Sequence, residues 1–186
     1  MDIFTAFGLS ASAGLNAYIP LLVVALLSKF TNLINLSPPW DTLENWWVIG
    51  VLVLLSGVEF FADKFPAINH ANDMVQTVIR PVAGAFLFAA SAKIITDIHP
   101  VLAMVMGLLV AGTVHAVKSL AVRPAVTATT AGAGNVPVSI AEDIVSTVFS
   151  IIAIIIPVLI AVMLVMGGAL FVWWVWRRIN RERASE

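Results

Sequence analysis

Cysteine is absent from the 186 residues, so disulfides, thiolate nucleophiles and thiolate metal sites are all excluded. Charge is nearly as scarce. Asp, Glu, Lys and Arg make up 11% of the chain, against about 25% in an average soluble domain. Ten basic and eleven acidic residues leave a net charge of −1, too small a field to recruit nucleic acid or another polyanion. No G-x-S-x-G elbow, phosphate-loop pattern, zinc-type H-E-x-x-H or coiled-coil repeat occurs. The balance is therefore against an enzyme, and an intramembrane lipid-modifying enzyme using Ser or Thr with His115 is kept only as a minor alternative.

What is present is apolar. Hydrophobic residues make up 60% of the chain, and the mean hydropathy is +0.99. So short a chain cannot bury that much apolar surface in its own core, and the excess must face lipid. A soluble enzyme, a nucleic-acid binder and a disordered regulator are thereby excluded. The expected fold is an all-α, polytopic transmembrane bundle. Met1-Asp2-Ile3-Phe4 carries no basic leader, so the first apolar stretch reads as a retained span.

A span needs about 20 mostly apolar residues. The first runs roughly over 4–27. It is rich in Gly, Ala and Ser before Asn16 and Pro20, and reads either as a small-residue packing face or as a helix broken near Asn16–Pro20. A proline-stopped loop over 32–44 leads to Trp46 and Trp47, residues suited to a membrane interface. The second span is expected over 48–62, followed by a polar link over 69–73. The third runs from about Asp73 to Lys93, and the fourth over 101–120. His70 and His99 read as loop residues. The Gly- and Thr-rich stretch 123–139 reads as either an ordinary loop or a re-entrant, cavity-lining segment. Ser139-Ile-Ala-Glu142 fits a capping box at a helix start.

The apolar run 144–175 would be near 48 Å long as one helix, more than the bilayer core of about 30 Å. It must tilt, protrude, or break at Pro157 or Gly167-Gly168. Trp173, Trp174 and Trp176 then mark an interface, and Arg177, Arg178, Arg181 and Arg183 form a basic tail over 177–186. By the positive-inside rule that tail is cytoplasmic. Five simple spans would leave Lys64, Lys118 and Arg123 on the opposite side, and a break in the last run would bring the tail to theirs. Five or six spans therefore remain open, within a single transmembrane domain over 1–176.

Two segments repeat. Asp73-Met-Val-Gln-Thr-Val-Ile79 resembles Asp143-Ile-Val-Ser-Thr-Val-Phe149, and Leu54-Leu-Ser-Gly-Val58-Glu59 lies over Val110-Ala-Gly-Thr-Val114-His115. Repeat units of approximately 45–97 and 101–165 follow, each a span ending in a polar residue, a connector, and a span opening with Asp. Such repeats commonly build a transport site where they meet.

Several longer motifs stand together: Ser12-Ala-Gly-Leu-Asn-Ala-Tyr-Ile-Pro-Leu21, Val58-Glu-Phe-Phe-Ala-Asp-Lys-Phe-Pro66, Arg80-Pro81-Val-Ala-Gly84, Gly112-Thr-Val-His-Ala-Val-Lys118 and Ser139-Ile-Ala-Glu-Asp143. With them, from about Gly8 to Pro157, the chain resembles the DUF4126 family of small bacterial integral membrane proteins. The resemblance implies a multi-pass protein of the bacterial cytoplasmic (inner) membrane. It implies no particular activity, because the family is named for having no assigned function.

Ionisable side chains within hydrocarbon cost about 2.5–3.5 kcal/mol each on insertion scales, so their presence asks for a reason. The candidates for an ion or substrate site are Glu59, Asp63, Lys64, Asp73, Arg80, His115, Lys118, Asn135, Glu142 and Asp143, with Asn16 and Pro20 at the expected break. Glu59 and Asp63 share a helix face at i,i+4, as do His115 and Lys118 at i,i+3; Asp73, Thr77 and Arg80 share another. The plainer alternative is mutual neutralisation, for example Asp73 with Arg80 or Glu142 with Lys118, or snorkelling to headgroups. Glu59, Asp73, His115 and Asp143 are possible metal ligands. No cofactor is expected; a divalent cation is the one alternative these ligands offer, and no tight ligand spacing supports it. A proton relay between Glu59 and His115 and anion capture by Arg80, Lys64, Lys118 and Arg123 are the other two chemistries.

The expected function is that of a small transporter or channel-like protein moving an ion or small solute. The alternative is a non-catalytic lipid-binding or membrane-assembly protein. Expected partners are the bilayer, a small ion, solute or lipid headgroup, and further copies of the chain in a homodimer or higher oligomer; nucleic acid is not expected.

Overall fold

The computed structural model describes residues 3–63, 66–92 and 98–183. The described residues form helices and no strand. In chain order these are α1 (Ile3–Leu15), α2 (Tyr18–Phe30), α3 (Trp46–Ala62), α4 (Pro66–Ala92), α5 (Pro100–Val117), α6 (Arg123–Thr130), α7 (Asn135–Ile155) and α8 (Pro157–Arg183). A 3₁₀ turn at Trp40–Glu44 precedes α3. A π-helical turn at Lys118–Val122 fuses α5 to α6, making Pro100–Thr130 one helical column of 31 residues.

Among the described residues, three helical stretches are long and apolar enough to cross a membrane: Met74–Ser91, Pro100–Thr130 and Asn135–Ile155. The apolar helices α1, α2 and α3 are shorter. Large hydrophobic side chains are exposed along α3, α4, α5 and α7, among them Leu54, Met74, Leu109 and Ile144. A soluble fold would bury such residues; here they supply an outer apolar surface suited to lipid.

The core is built around α1, because its small side chains let other helices close on it from several sides. A Cβ on Gly8 would lie 2.6 Å from Ala153 Cβ of α7, and one on Gly14 would lie 2.6 Å from the Ala111 carbonyl oxygen of α5. Between α4 and α5 a Cβ on Gly84 would run into Ala111 Cβ and stand 2.9 Å from the Gly107 carbonyl oxygen. Hydroxyls fasten these approaches. Thr5 donates to the Ala153 carbonyl and Ser10 to the Gly84 carbonyl, each at 2.8 Å, and Ser12 donates to the Ser146 carbonyl at 2.7 Å. Ser12 Oγ also meets Ser150 Oγ at 2.7 Å, completing a hydroxyl seam between α1 and α7.

Two interruptions shape the bundle. The chain leaves helix at Asn16 and Ala17, and Pro20 falls in the first turn of α2, where its missing N–H removes no hydrogen bond. It leaves helix again at Ile156, and Pro157 opens α8. The apolar run 144–175 is thus two helices, while Gly167 and Gly168 lie inside α8.

Three local expectations are corrected. The polar link over 69–73, His70 included, is part of α4, which begins at Pro66. The stretch 123–139 is neither a loop nor a re-entrant coil. It is α6, a tight turn at 131–134 and the start of α7. Its threonines satisfy themselves along the helix: Thr127 donates to the Arg123 carbonyl, Thr129 to that of Ala125, and Thr130 to that of Val126. The turn itself needs left-handed backbone at Ala131, φ 52°, and Gly132, φ 89°. Ser139 is not a helix cap, since α7 already begins at Asn135.

Asn45 does cap α3, its side chain accepting from the Trp47 amide at 2.9 Å, and His99 caps α5 by accepting from the Val101 amide at 3.3 Å. Trp46 and Trp47 are exposed at the head of α3. At the far end of α8, Arg177 and Arg178 lie over the Trp173 and Trp174 rings at 5.1 and 5.6 Å, and the basic tail stays helical through Arg183.

Candidate functional site

Arg80 lies on α4 one residue before Pro81 and is fully buried. Its Nη2 donates to Glu59 Oε1 of α3 at 2.7 Å, and its Nη1 meets His115 Nδ1 of α5 at 3.1 Å. A guanidinium can only donate, so Nδ1 accepts, and the imidazole proton sits on Nε2. That nitrogen is 3.2 Å from Thr77 Oγ1, one turn before Arg80. Tyr18, at the start of α2, interacts with Gln76, Glu59 and Arg80.

A second group centres on Asp63, at the C-terminal end of α3. Its Oδ2 accepts from Arg123 Nη2 at 3.0 Å and from Ser139 Oγ at 3.3 Å. Arg80 Nη2 and Lys118 Nζ lie 3.9 and 4.0 Å from the same oxygen. Oδ1 accepts from Asn72 Nδ2 at 2.8 Å. Glu142 Oε2 on α7 takes Lys118 Nζ and Arg123 Nη2, both at 2.9 Å. The three cations Arg80, Lys118 and Arg123 thus face the three carboxylates Glu59, Asp63 and Glu142. An isolated buried ion carries a desolvation cost of several kcal/mol, and pairing with full hydrogen bonding offsets it.

The helix interruption adjoins this cluster. Lys118 Nζ donates to the Leu15 carbonyl oxygen at 2.9 Å, placing a cation on the negative end of α1. Asn16 Oδ1 accepts from the Tyr18 and Ile19 amides at 3.1 and 3.0 Å and so caps α2. Its Nδ2 donates to Asp143 Oδ1 at 2.9 Å.

The structure therefore brings Glu59, Asp63, Arg80, His115, Lys118, Glu142, Asp143 and Asn16 to one region. Pro20 stays in the first turn of α2 beyond the break. Asn135 stands apart, at the turn between α6 and α7, with its amide donating to Thr127 Oγ1 at 2.9 Å. Lys64 lies outside the described residues; Asp73 lies in α4, but its side chain is outside them. The Glu142–Lys118 pair forms, and Arg80 pairs with Glu59. Of the possible metal ligands, Glu59 is held by Arg80 and Asp143 by Asn16. Among the described residues no three His, Asp or Glu side chains are grouped to hold a metal ion.

Sequence reasoning passed over Tyr18, Asn72, Gln76 and Ser139. Asn72, Gln76 and Arg80 follow one another at steps of four on α4, a spacing that could have found the first two of them. The capping-box pattern at Ser139 points to a helix start and not to its actual position inside α7 facing Asp63.

Beside the cluster runs a cleft of about 430 Å³. Val114, Val117, Val138 and Val145 form its walls, and Lys118 and Glu142 border it. Among curated proteins and solved structures, nothing matches the chain. A family model described as a domain of unknown function, DUF4126, matches residues 3–178. That match covers nearly the whole molecule, from α1 to the basic end of α8, and with it the chain belongs to the DUF4126 family.

Proposed function

We propose that this chain is a multi-pass protein of the bacterial cytoplasmic membrane that moves an ion or small solute as a transporter or channel-like protein. The observation that carries the reading is the paired cluster of Arg80, Glu59, Asp63, Lys118, Arg123 and Glu142, buried among apolar helices. Ionisable groups at such depth mark ion or substrate pathways more often than they serve stability. The adjoining break at Asn16–Ala17 supports it, because helices interrupted at a polar site are a recurring device of transporters.

In this reading five or six spans cross the bilayer and the basic end of α8 is cytoplasmic. Repeat units 45–97 and 101–165 meet at the cluster, one giving Glu59 and Arg80, the other His115, Lys118 and Glu142. A homodimer or higher oligomer completes a path for which one small chain is short. A second reading, a non-catalytic lipid-binding or assembly protein, is favoured by the apolar cleft bordered by Lys118 and Glu142.

Aqueous access separates the two readings. Since the chain has no cysteine, Ser139→Cys would carry the sole thiol, next to Asp63 and wholly buried. In proteoliposomes a membrane-impermeant methanethiosulfonate should label it, while Ser150→Cys in the hydroxyl seam stays unlabelled. Labelling of Ser139→Cys only after denaturation would favour the lipid-binding or assembly reading.

A further inference from the structure

Three features of the Asp63 site look out of proportion to a structural ion pair. First, three cations from three successive parts of the chain, Arg80 of α4, Lys118 of the π-helical turn and Arg123 of α6, all converge on the single oxygen Asp63 Oδ2, joined by the Ser139 hydroxyl of α7. Two hydrogen-bond donors, Arg123 and Ser139, and two further cations at 3.9 and 4.0 Å around one carboxylate oxygen resemble the surroundings of a bound oxyanion more than those of a simple pair. Second, Asp63 sits at the C-terminal end of α3, where the helix dipole disfavours an anion. Its position therefore serves the cations and not its own helix. Third, α3 is only lightly embedded in the bundle. Of its 17 residues only Ile49, Leu52, Glu59 and Ala62 are buried. Its lower half is tied to the bundle by the Glu59 and Asp63 carboxylates on Arg80, Arg123 and Lys118.

We propose that Arg80, Lys118, Arg123 and Ser139 form a receptor for a small phosphate-like oxyanion, and that Asp63 fills this receptor as a tethered stand-in until the oxyanion displaces it. Displacement of Asp63 alone leaves the three cations with Glu59 and Glu142, a net charge of plus one, and withdrawal of Glu59 with it raises this to plus two, which suits a doubly charged tetrahedral anion. The guanidinium forks match the paired oxygens of phosphate or sulfate. Arg80 Nε, which is buried and has no hydrogen-bond partner among the described residues, is a further donor on the same guanidinium. The receptor names the substrate class of the transport reading and rests on that reading for its purpose, while binding itself is measurable without transport. The same chemistry could be presented by a free anion or by a lipid phosphate.

The test is phosphate binding to the full chain in nanodiscs of zwitterionic lipid, with Asp63→Asn as the key variant. Asn keeps the shape and removes the competing charge. Asp63→Asn should bind labelled inorganic phosphate at least tenfold more tightly than the unaltered chain, and phosphate should raise its melting temperature where chloride at equal ionic strength does not. Adding Arg123→Gln to that variant should abolish the gain. In a parallel arm, nanodiscs doped with phosphatidylglycerol should raise the melting temperature of Asp63→Asn in place of inorganic phosphate if the lipid is the source. Should Asp63→Asn fail to fold, phosphate must slow severalfold the labelling of Val138→Cys, which borders the cleft beside Lys118 and Glu142. No anion-specific effect in any of these arms overturns the receptor. Phosphate binding without currents would leave the receptor standing and remove the transport reading; ion currents without oxyanion binding would do the reverse.

Discussion

Lys118 Nζ lies 2.9 Å from the carbonyl oxygen of Leu15, the last residue of α1, and the same ammonium lies 2.9 Å from Glu142 Oε2. One side chain thus terminates a broken helix and neutralises a carboxylate on another. The π-helical turn that begins at Lys118 follows directly on α5. Lys118 is itself buried, so its charge depends on those two partners and on Asp63.

Removing that charge should be costly. Lys118→Met keeps most of the volume but leaves Glu142 and the end of α1 without the ammonium. Breaking a buried pair from one side costs about 3–5 kcal/mol. Thermal unfolding in detergent should show a lowered midpoint, and Lys118→Met with Glu142→Gln should recover much of the loss. Equal instability in the single and double variants would contradict the pairing.

Asn16 does two things that can be separated by substitution. Asn16→Ala removes the α2 cap and the bond to Asp143, and should cost about 1–2 kcal/mol. Asn16→Asp keeps a good cap but turns a carboxylate oxygen towards Asp143. It should therefore be less stable than Asn16→Ala despite its better capping, as read by unfolding midpoint. The opposite order would mean that capping outweighs the contact with Asp143.

The glycines divide by environment. Gly84→Ala would force apart α4 and α5 at Ala111 and the Gly107 carbonyl, and overpacking of this kind costs about 1–3 kcal/mol. Gly50→Ala in α3 meets nothing within 4 Å and replaces a poor helix former, so stability should rise by about 0.5–1 kcal/mol. Unfolding curves of the two variants should move in opposite directions.

The parts of this site that follow the helical period were legible beforehand. Glu59 and Asp63 at i,i+4, and His115 and Lys118 at i,i+3, point the same way on any helix, and each pair reaches the cluster. The stretch before Pro20 admitted both a small-residue packing face and a break near Asn16, and the structure has both: Gly8 and Gly14 pack closely, and the chain leaves helix at Asn16. What could not be read was partnership across the bundle. Arg80 chose Glu59, 21 positions away, and Arg123 reached Asp63, 60 positions away. The local mistakes share a cause as well. The polar residues of 69–73 and the threonines and glycines of 123–139 looked like loop punctuation. Threonines there turn back onto their own helix, however, and only 131–134 are needed for the turn.

Transport of an ion or charged solute through the buried cluster moves charge across the bilayer, and that current can be measured. Proteoliposomes on a solid-supported membrane would be given steps of phosphate, sulfate, chloride, sodium, potassium and pH, with Glu59→Gln and His115→Ala run beside the unaltered chain. Each variant would first be shown to be folded by size-exclusion profile. A substrate-specific current that disappears in both variants is the predicted result. Silence across the whole panel from folded protein, or a current left unchanged by both substitutions, would contradict it.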